Sequence, residues 1–281
     1  MPPTFTIAPA RLDEMAILLD WAADEGWNPG LSDGPCFHGA DPQGFLIGRL
    51  DGRPVSGVSM VQYGDGLGFL GFYLCRPEMR GRGFGYAAWT AATARFGSRT
   101  IGLDGVVAQQ ENYRRAGFAL SHRNVRWQGA VPAGLAPSGR TEEADAVPFA
   151  ALAAFDARHF GTARPAFLAG WLAAEGHVAR ILVADGAPVG LGVLRPCRSG
   201  CKVGPLFAPD SAGAEALLAD LALAAPEGPI VLDVPEPNGA AAALAERWGL
   251  EPVFETARMY RGPAPDLPLA SVFGVTTFEL G

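Results

Sequence analysis

The sequence has almost no lysine: Lys202 stands alone, and arginine supplies the rest of the 22 basic side chains. Charged residues of either sign make up only 18% of the chain, and acids outnumber bases 29 to 22, for a formal net charge of −7. A nucleic-acid partner needs clustered cations to displace counterions, so this balance argues against one. Long apolar runs are missing as well. None approaches the roughly 18 residues of a membrane span, and the first ten residues show no basic stretch leading into an apolar one, so no signal peptide is visible. Four cysteines (Cys36, Cys75, Cys197, Cys201) form no disulfide framework. Cys197 and Cys201 are the one close pair, and no second His or Cys pair completes a zinc set. The expectation is a cytoplasmic protein with no metal and no membrane or nucleic-acid partner.

What is present is an apolar, glycine- and proline-rich chain of 281 residues, long enough for two domains. The stretch 129–140 (GAVPAGLAPSGR) has no apolar period and reads as a linker. On either side of it the same order of elements recurs. An Asp-Gly pair, Asp51-Gly52 and again Asp185-Gly186, separates two apolar runs, which signals a β-hairpin. Each half then shows a further strand, a Pro-acid pair (Pro77-Glu78, Pro209-Asp210) and a helix-period segment. A strand containing Leu-Asp follows in each (101–106 and 230–234), then a short helix and a Gly-apolar pair, Gly117-Phe118 and Gly249-Leu250. Ahead of the first hairpin, Leu12, Met15, Leu18 or Leu19 and Ala22 share one helical face. The fold class is therefore α/β (α+β), one unit of about 130 residues built twice.

The strongest local signal is the apolar strand 69–75 running into Arg76-Pro77-Glu78-Met79-Arg80-Gly81-Arg82-Gly83-Phe84-Gly85 and a helix. Alternating glycines allow close backbone approach and positive φ, and amides at a helix start favour a bound phosphate. The loop reads as an anion cradle for a pyrophosphate. A P-loop needs Lys-Ser or Lys-Thr after its last glycine, whereas Tyr86-Ala87 follow here; a Rossmann fingerprint needs a glycine where Tyr86 stands.

Arg80-x-x-Gly83-x-Gly85 after a strand resembles the acyl-CoA pyrophosphate loop of the GNAT superfamily of N-acetyltransferases. Tyr113-Arg114-Arg115-Ala116-Gly117-Phe118 resembles that family's Tyr-x-x-x-Gly-Phe ending, although Val106-Val107-Ala108 stand where members often carry an Asn. The resemblance implies two GNAT-like domains, 1–128 and 141–281, each a twisted, mixed, mostly antiparallel sheet flanked by helices. It implies acetyl-CoA as co-substrate, with its pantetheine arm between two splayed strands and with Leu74, Cys75, Arg80, Gly81, Arg82, Gly83, Phe84 and Gly85 around it. It implies Tyr113 at the thioester as general acid, a role open to a phenol facing a thiolate of comparable basicity. The second half has Asp210-Ser211-Ala212-Gly213-Ala214 in place of the cradle and Ala245 in place of Tyr113, so one acyl-CoA site is expected.

The acceptor amine must lose a proton, and Glu25 and Asp104 are the candidate bases. Glu25, Trp27, Asn28 and Asp33, after the first helix, form the candidate acceptor loop for a small-molecule amine. Arg123, Asn124 and Arg126 read either as acceptor contacts or as a solvated strand face, and Asp233, Glu236 and Asn238 end a strand that can face the same cleft. An acyl-CoA sensor without turnover and an O-acetyltransferase share the cradle and stay open as alternatives. The sequence sets neither the acceptor nor the oligomeric state.

Overall fold

A computed structural model of the chain describes residues 3–281. The first half runs β1 (Phe5–Pro9), α1 (Met15–Asp24), α2 (Asp33–Ala40), β2 (Phe45–Leu50), β3 (Arg53–Tyr63), β4 (Leu67–Cys75), α3 (Phe84–Ala94), β5 (Thr100–Val106), α4 (Gln110–Arg115) and β6 (Ala119–Ala130). The second runs α5 (Phe149–Phe160), α6 (Pro165–Ala173), β7 (Val178–Ala184), β8 (Ala187–Pro196), β9 (Cys201–Phe207), α7 (Ser211–Ala222), β10 (Pro229–Pro235), α8 (Gly239–Arg247), β11 (Glu251–Arg261) and β12 (Val272–Gly274). Both expected hairpins form. Asp51 and Gly52, like Asp185 and Gly186, take positive φ, the geometry that lets a two-residue turn match the strand twist. Met15, Leu18 and Ala22 of α1 are buried, whereas Leu12 is exposed and lies ahead of the helix.

All the strands belong to one sheet, ordered β1-β2-β3-β4-β5-β11-β6-β10-β9-β8-β7, with β12 added on β9. The order carries a strand exchange. β6 ends the first half by sequence yet pairs with β10 of the second. β11 ends the second half yet pairs with β5 of the first. The sheet thus runs unbroken through the two repeats, and Gly129 and Ala130 of the expected linker belong to β6.

Each exchanged strand is fixed by a buried, two-pronged ion pair, and the two pairs occupy matching positions. Arg258 of β11 stands opposite Asp104 of β5 and donates to both its carboxylate oxygens at 2.9 and 2.7 Å. Arg126 of β6 stands opposite Asp233 of β10 and does the same at 2.7 and 2.8 Å. The repeated Leu-Asp of the two inner strands is the sequence trace of this device. Arg126, one of whose expected settings was a solvated strand face, is buried, because β6 lies in the middle of the sheet.

The two halves differ where parallel strands part. β4 and β5 pair from Leu67↔Thr100 to Leu70↔Leu103 and then separate. A bulge at Phe72–Tyr73, opposite Val58, sharpens the parting, with Phe72 at φ 46°. A bulky side chain rarely adopts that backbone; here the Phe72 ring is locked among Phe37 and Phe45. β9 and β10 likewise separate after Val203↔Leu232. Their gap is filled by the chain itself: β12 pairs with β9, and Val275 N–H donates to the Asp233 carbonyl at 2.9 Å. The helix starts diverge in the same sense. α3 begins at Gly83 with no side-chain cap, whereas Asp210 caps α7 by accepting from Gly213 N–H at 2.7 Å. Asp210→Ala is expected to lower stability by about 1 kcal/mol, read as a shift of the urea midpoint, with no change in ligand binding at α3.

Candidate active site

The parted end of β4 and β5 opens on two connected spaces. The outer cleft is bordered by Leu74, Cys75, Arg80, Gly81, Gly83, Phe84 and Gly85. These are the residues expected to hold a pyrophosphate and pantetheine arm, and the fold brings them to one wall; Arg82 lies just outside it, its guanidinium 5.3 Å over the Phe84 ring. Gly81 and Gly83 have φ 74° and 86°, and a Cβ added to either meets nothing within 4 Å. The space beside Gly81 and Gly83, at the start of α3, is thus open, and a helix start is where an anion is favoured. Arg80 is held in place by donating to the Cys75 carbonyl at 3.1 Å and pairing with Glu25.

The inner cavity continues from the cleft past Trp27, Tyr73, Val106, Gln109 and Phe254, which border both spaces. Tyr113 lies on its wall, buried and stacked on Trp89 with ring centroids 5.6 Å apart. Gly105 is required here, since a Cβ at that point would press on the Tyr113 ring at 2.7 Å. Burial pushes the Tyr113 phenol up, so it stays protonated through the physiological range. Tyr73 is a second phenol on the wall, but its hydroxyl points to the cradle: a Cβ on Gly85 would lie 3.5 Å from it.

Of the candidate acceptor and base residues, Trp27 alone of its loop faces the inner cavity. Its carbonyl takes hydrogen bonds from Lys202 Nζ at 2.8 Å and Arg126 Nη1 at 3.1 Å. Glu25 stands at the outer mouth with its carboxylate on Arg80. Asn28 faces away, clamping both the N–H and the carbonyl of Ser199 at 3.0 and 2.8 Å. Asp33 is buried beneath the loop, where it accepts from Gly30 N–H at 2.8 Å and lies 3.5 Å from Arg195. These two residues dock the loop onto the second half. Asp104 borders the cavity, but Arg258 occupies both its oxygens, and Asn124 Nδ2 adds a further bond at 2.8 Å. Asn238, too, is structural, capping α8 through Ala241 N–H at 3.1 Å.

Several wall residues carry no motif. Phe254 and Thr256 come from the exchanged β11, and Phe278 and Glu279 from the last turn of the chain. The histidines stand apart: His122 is buried on another face, where desolvation and Arg258 push it down to about 3 and keep it neutral. Among the described residues no cluster of His, Cys, Asp and Glu is fit to hold a metal ion, and no helix is long and apolar enough to cross a membrane.

Known proteins share both the sequence and the shape. The profile of the acetyltransferase (GNAT) family matches residues 12–119, and that of an acetyltransferase (GNAT) domain matches residues 152–274. Holothin acyltransferase of Pseudoalteromonas sp. (strain SANK 73390) is 31% identical over 280 residues, covering 99% of this chain and 95% of its own. The chain belongs to the GNAT acyltransferase family. It carries two GNAT domains, and it is an acyltransferase. A putative acetyltransferase from Pyrococcus horikoshii has the same fold over 99% of this chain and 96% of its own, at 22% identity and a TM-score of 0.83. A tandem GNAT protein from the clavulanic acid biosynthesis pathway matches over 93% of this chain and all of its own, at 17% identity and a TM-score of 0.61. GNAT enzymes generally use an acyl-CoA donor.

Proposed function

We propose that this GNAT protein transfers an acetyl group from acetyl-CoA directly to a primary amine of a small molecule. The observation that carries the reading is the contrast between the two helix starts. Gly83 leaves the first turn of α3 open to an external anion, whereas Asp210 fills the same position on α7 with the chain's own carboxylate. One coenzyme therefore binds per chain, its pyrophosphate on Gly81–Gly85 and its thioester reaching the inner cavity. There the amine nitrogen attacks the thioester carbonyl carbon, the C–N bond forms, and the C–S bond breaks. Tyr113 gives its proton to the departing sulfur. Burial pushes the Cys75 thiol up, which keeps it a poor nucleophile and favours transfer in a ternary complex over an acyl-enzyme.

The acceptor enters a cavity closed by residues of both halves, which favours a small molecule over a protein tail. Holothin, after which the bacterial relative is named, is the first acceptor to test. Isothermal titration with acetyl-CoA is expected to give one site per chain. Gly83→Asp puts a strained residue and a negative charge under the pyrophosphate and is expected to weaken binding about 30-fold, corresponding to roughly 2 kcal/mol. Absence of binding by the unaltered protein would overturn the reading.

A further inference from the structure

Five carboxylates are buried in this protein: Asp33, Asp104, Asp156, Asp233 and Glu279. Four are held by arginine. Asp104 and Asp233 fix the exchanged strands, Asp156 takes both prongs of Arg164 at 2.8 Å, and Asp33 lies beside Arg195. Glu279 differs. Among the described residues it makes no ion pair, and its Oε2, like Asp33 Oδ1, is buried with no hydrogen-bond partner. The Thr256 hydroxyl is buried without a partner too, and both residues border the inner cavity with Tyr113. Buried polar atoms normally have partners, so two unpartnered ones on residues of one cavity wall point to a hydrogen-bonding ligand there.

The chain goes to some length to bring Glu279 there. After β12 fills the gap between β9 and β10, residues 275–281 run buried to the other parted pair, β4 and β5. Tyr63 Oη donates to the Leu280 carbonyl at 3.1 Å, and Leu280 N–H donates to Thr277 Oγ1 at 2.9 Å. A side chain at Gly71 would run into the Glu279 carbonyl. Phe278, beside it, is covered by the Arg126 guanidinium at 4.8 Å. Three cations, Lys202, Arg126 and Arg195, lie within electrostatic reach of Glu279 without pairing with it; the Lys202 ammonium is committed to the Trp27 carbonyl, and the Arg126 guanidinium to Asp233. The backbone around Glu279 is thus fixed, and its Oε2 is left unengaged.

We infer that Glu279 is a catalytic residue that accepts the proton lost by the acceptor amine, and that the aromatic walls of Trp27, Phe254 and Phe278 select an amine carrying a flat ring. This rests on the acetyl-transfer reading. As the nitrogen bonds to the thioester carbon, its N–H proton passes to the Glu279 carboxylate, while Tyr113 protonates the coenzyme sulfur; the products are the amide and free CoA. The other candidate bases are engaged, Asp104 by Arg258 and Glu25 by Arg80.

The test measures CoA release from acetyl-CoA with benzylamine, tryptamine and spermidine, together with calorimetric binding of each amine to the CoA complex. The unaltered protein is expected to acetylate or bind a ring amine in preference to spermidine. E279Q, nearly the same shape, is expected to melt at the unaltered temperature and bind acetyl-CoA equally well, with kcat lowered about 50-fold or more; E279D should be intermediate. If E279Q does not fold, a fall of about tenfold in E279D supports the inference and an unchanged kcat overturns it. It is likewise overturned if E279Q keeps kcat within about threefold, or if the unaltered protein binds acetyl-CoA but neither acetylates nor binds a ring amine, or prefers spermidine. Failure to bind acetyl-CoA at all removes the acetyl-transfer reading and this one with it.

Discussion

Tyr113→Phe is expected to lower kcat by about 10² to 10³-fold while leaving the Kd for acetyl-CoA unchanged. The substitution removes one oxygen and keeps the ring, so the stack on Trp89 and the packing against Gly105 survive. Only the proton donor is lost, and a loss confined to kcat marks an interaction made in the transition state. Tyr73→Phe is the control, because its hydroxyl lies at the Gly85 end of the cleft. It should change kcat by no more than a few-fold. Single-turnover acetyl transfer followed by quenching separates the chemical step from CoA release. Equal losses in the two variants would reject the assignment of Tyr113 as the acid, and a protein without turnover would show no loss in either.

Asp104→Ala is expected to destabilise the protein by about 3–5 kcal/mol, the usual result of stranding a buried cation. Arg258 would be left fully enclosed in the sheet with its 2.7 and 2.9 Å partners gone. Urea unfolding measures the loss. The double change Asp104→Leu with Arg258→Met removes both charges and should restore most of the stability. That pair of results distinguishes a structural carboxylate from a base. A base would cost activity in the double variant even where folding recovers, whereas an ion pair that fixes β11 on β5 would return both.

Local chemistry was readable in the chain, and long-range pairing was not. The hairpins at Asp51-Gly52 and Asp185-Gly186 are written in two residues each, and the cradle in Gly81-x-Gly83-x-Gly85. Strand alternation tells which residues share a face but not which strand lies alongside, so the exchange of β6 and β11 left no local signal. For the same reason Arg126 could pass for part of a solvated face. The repeated Leu-Asp, with Arg126 and Arg258 at matching places in the two halves, was the nearest clue. Asn28 and Asp33 had the composition of a binding loop, yet their hydrogen bonds are spent on fixing that loop to the second half. Glu279 carries no motif; its only mark is being the lone acid in the apolar ending Val272–Leu280.

The exchanged strands also govern the order in which the molecule can be made. β5 is complete at Val106, but the residues of β11 that pair with its open edge begin at Thr256, 256 − 106 = 150 residues further along the chain. At about 5–20 residues per second, that edge waits roughly 7–30 s on the ribosome. An uncovered strand edge is a template for association with other chains. Phe278 and Glu279 arrive later still, so the first domain's cleft gains its inner wall only after the second domain's strands have been made. The second domain has lost the cradle of its own, yet it determines when the first one's pocket comes into being.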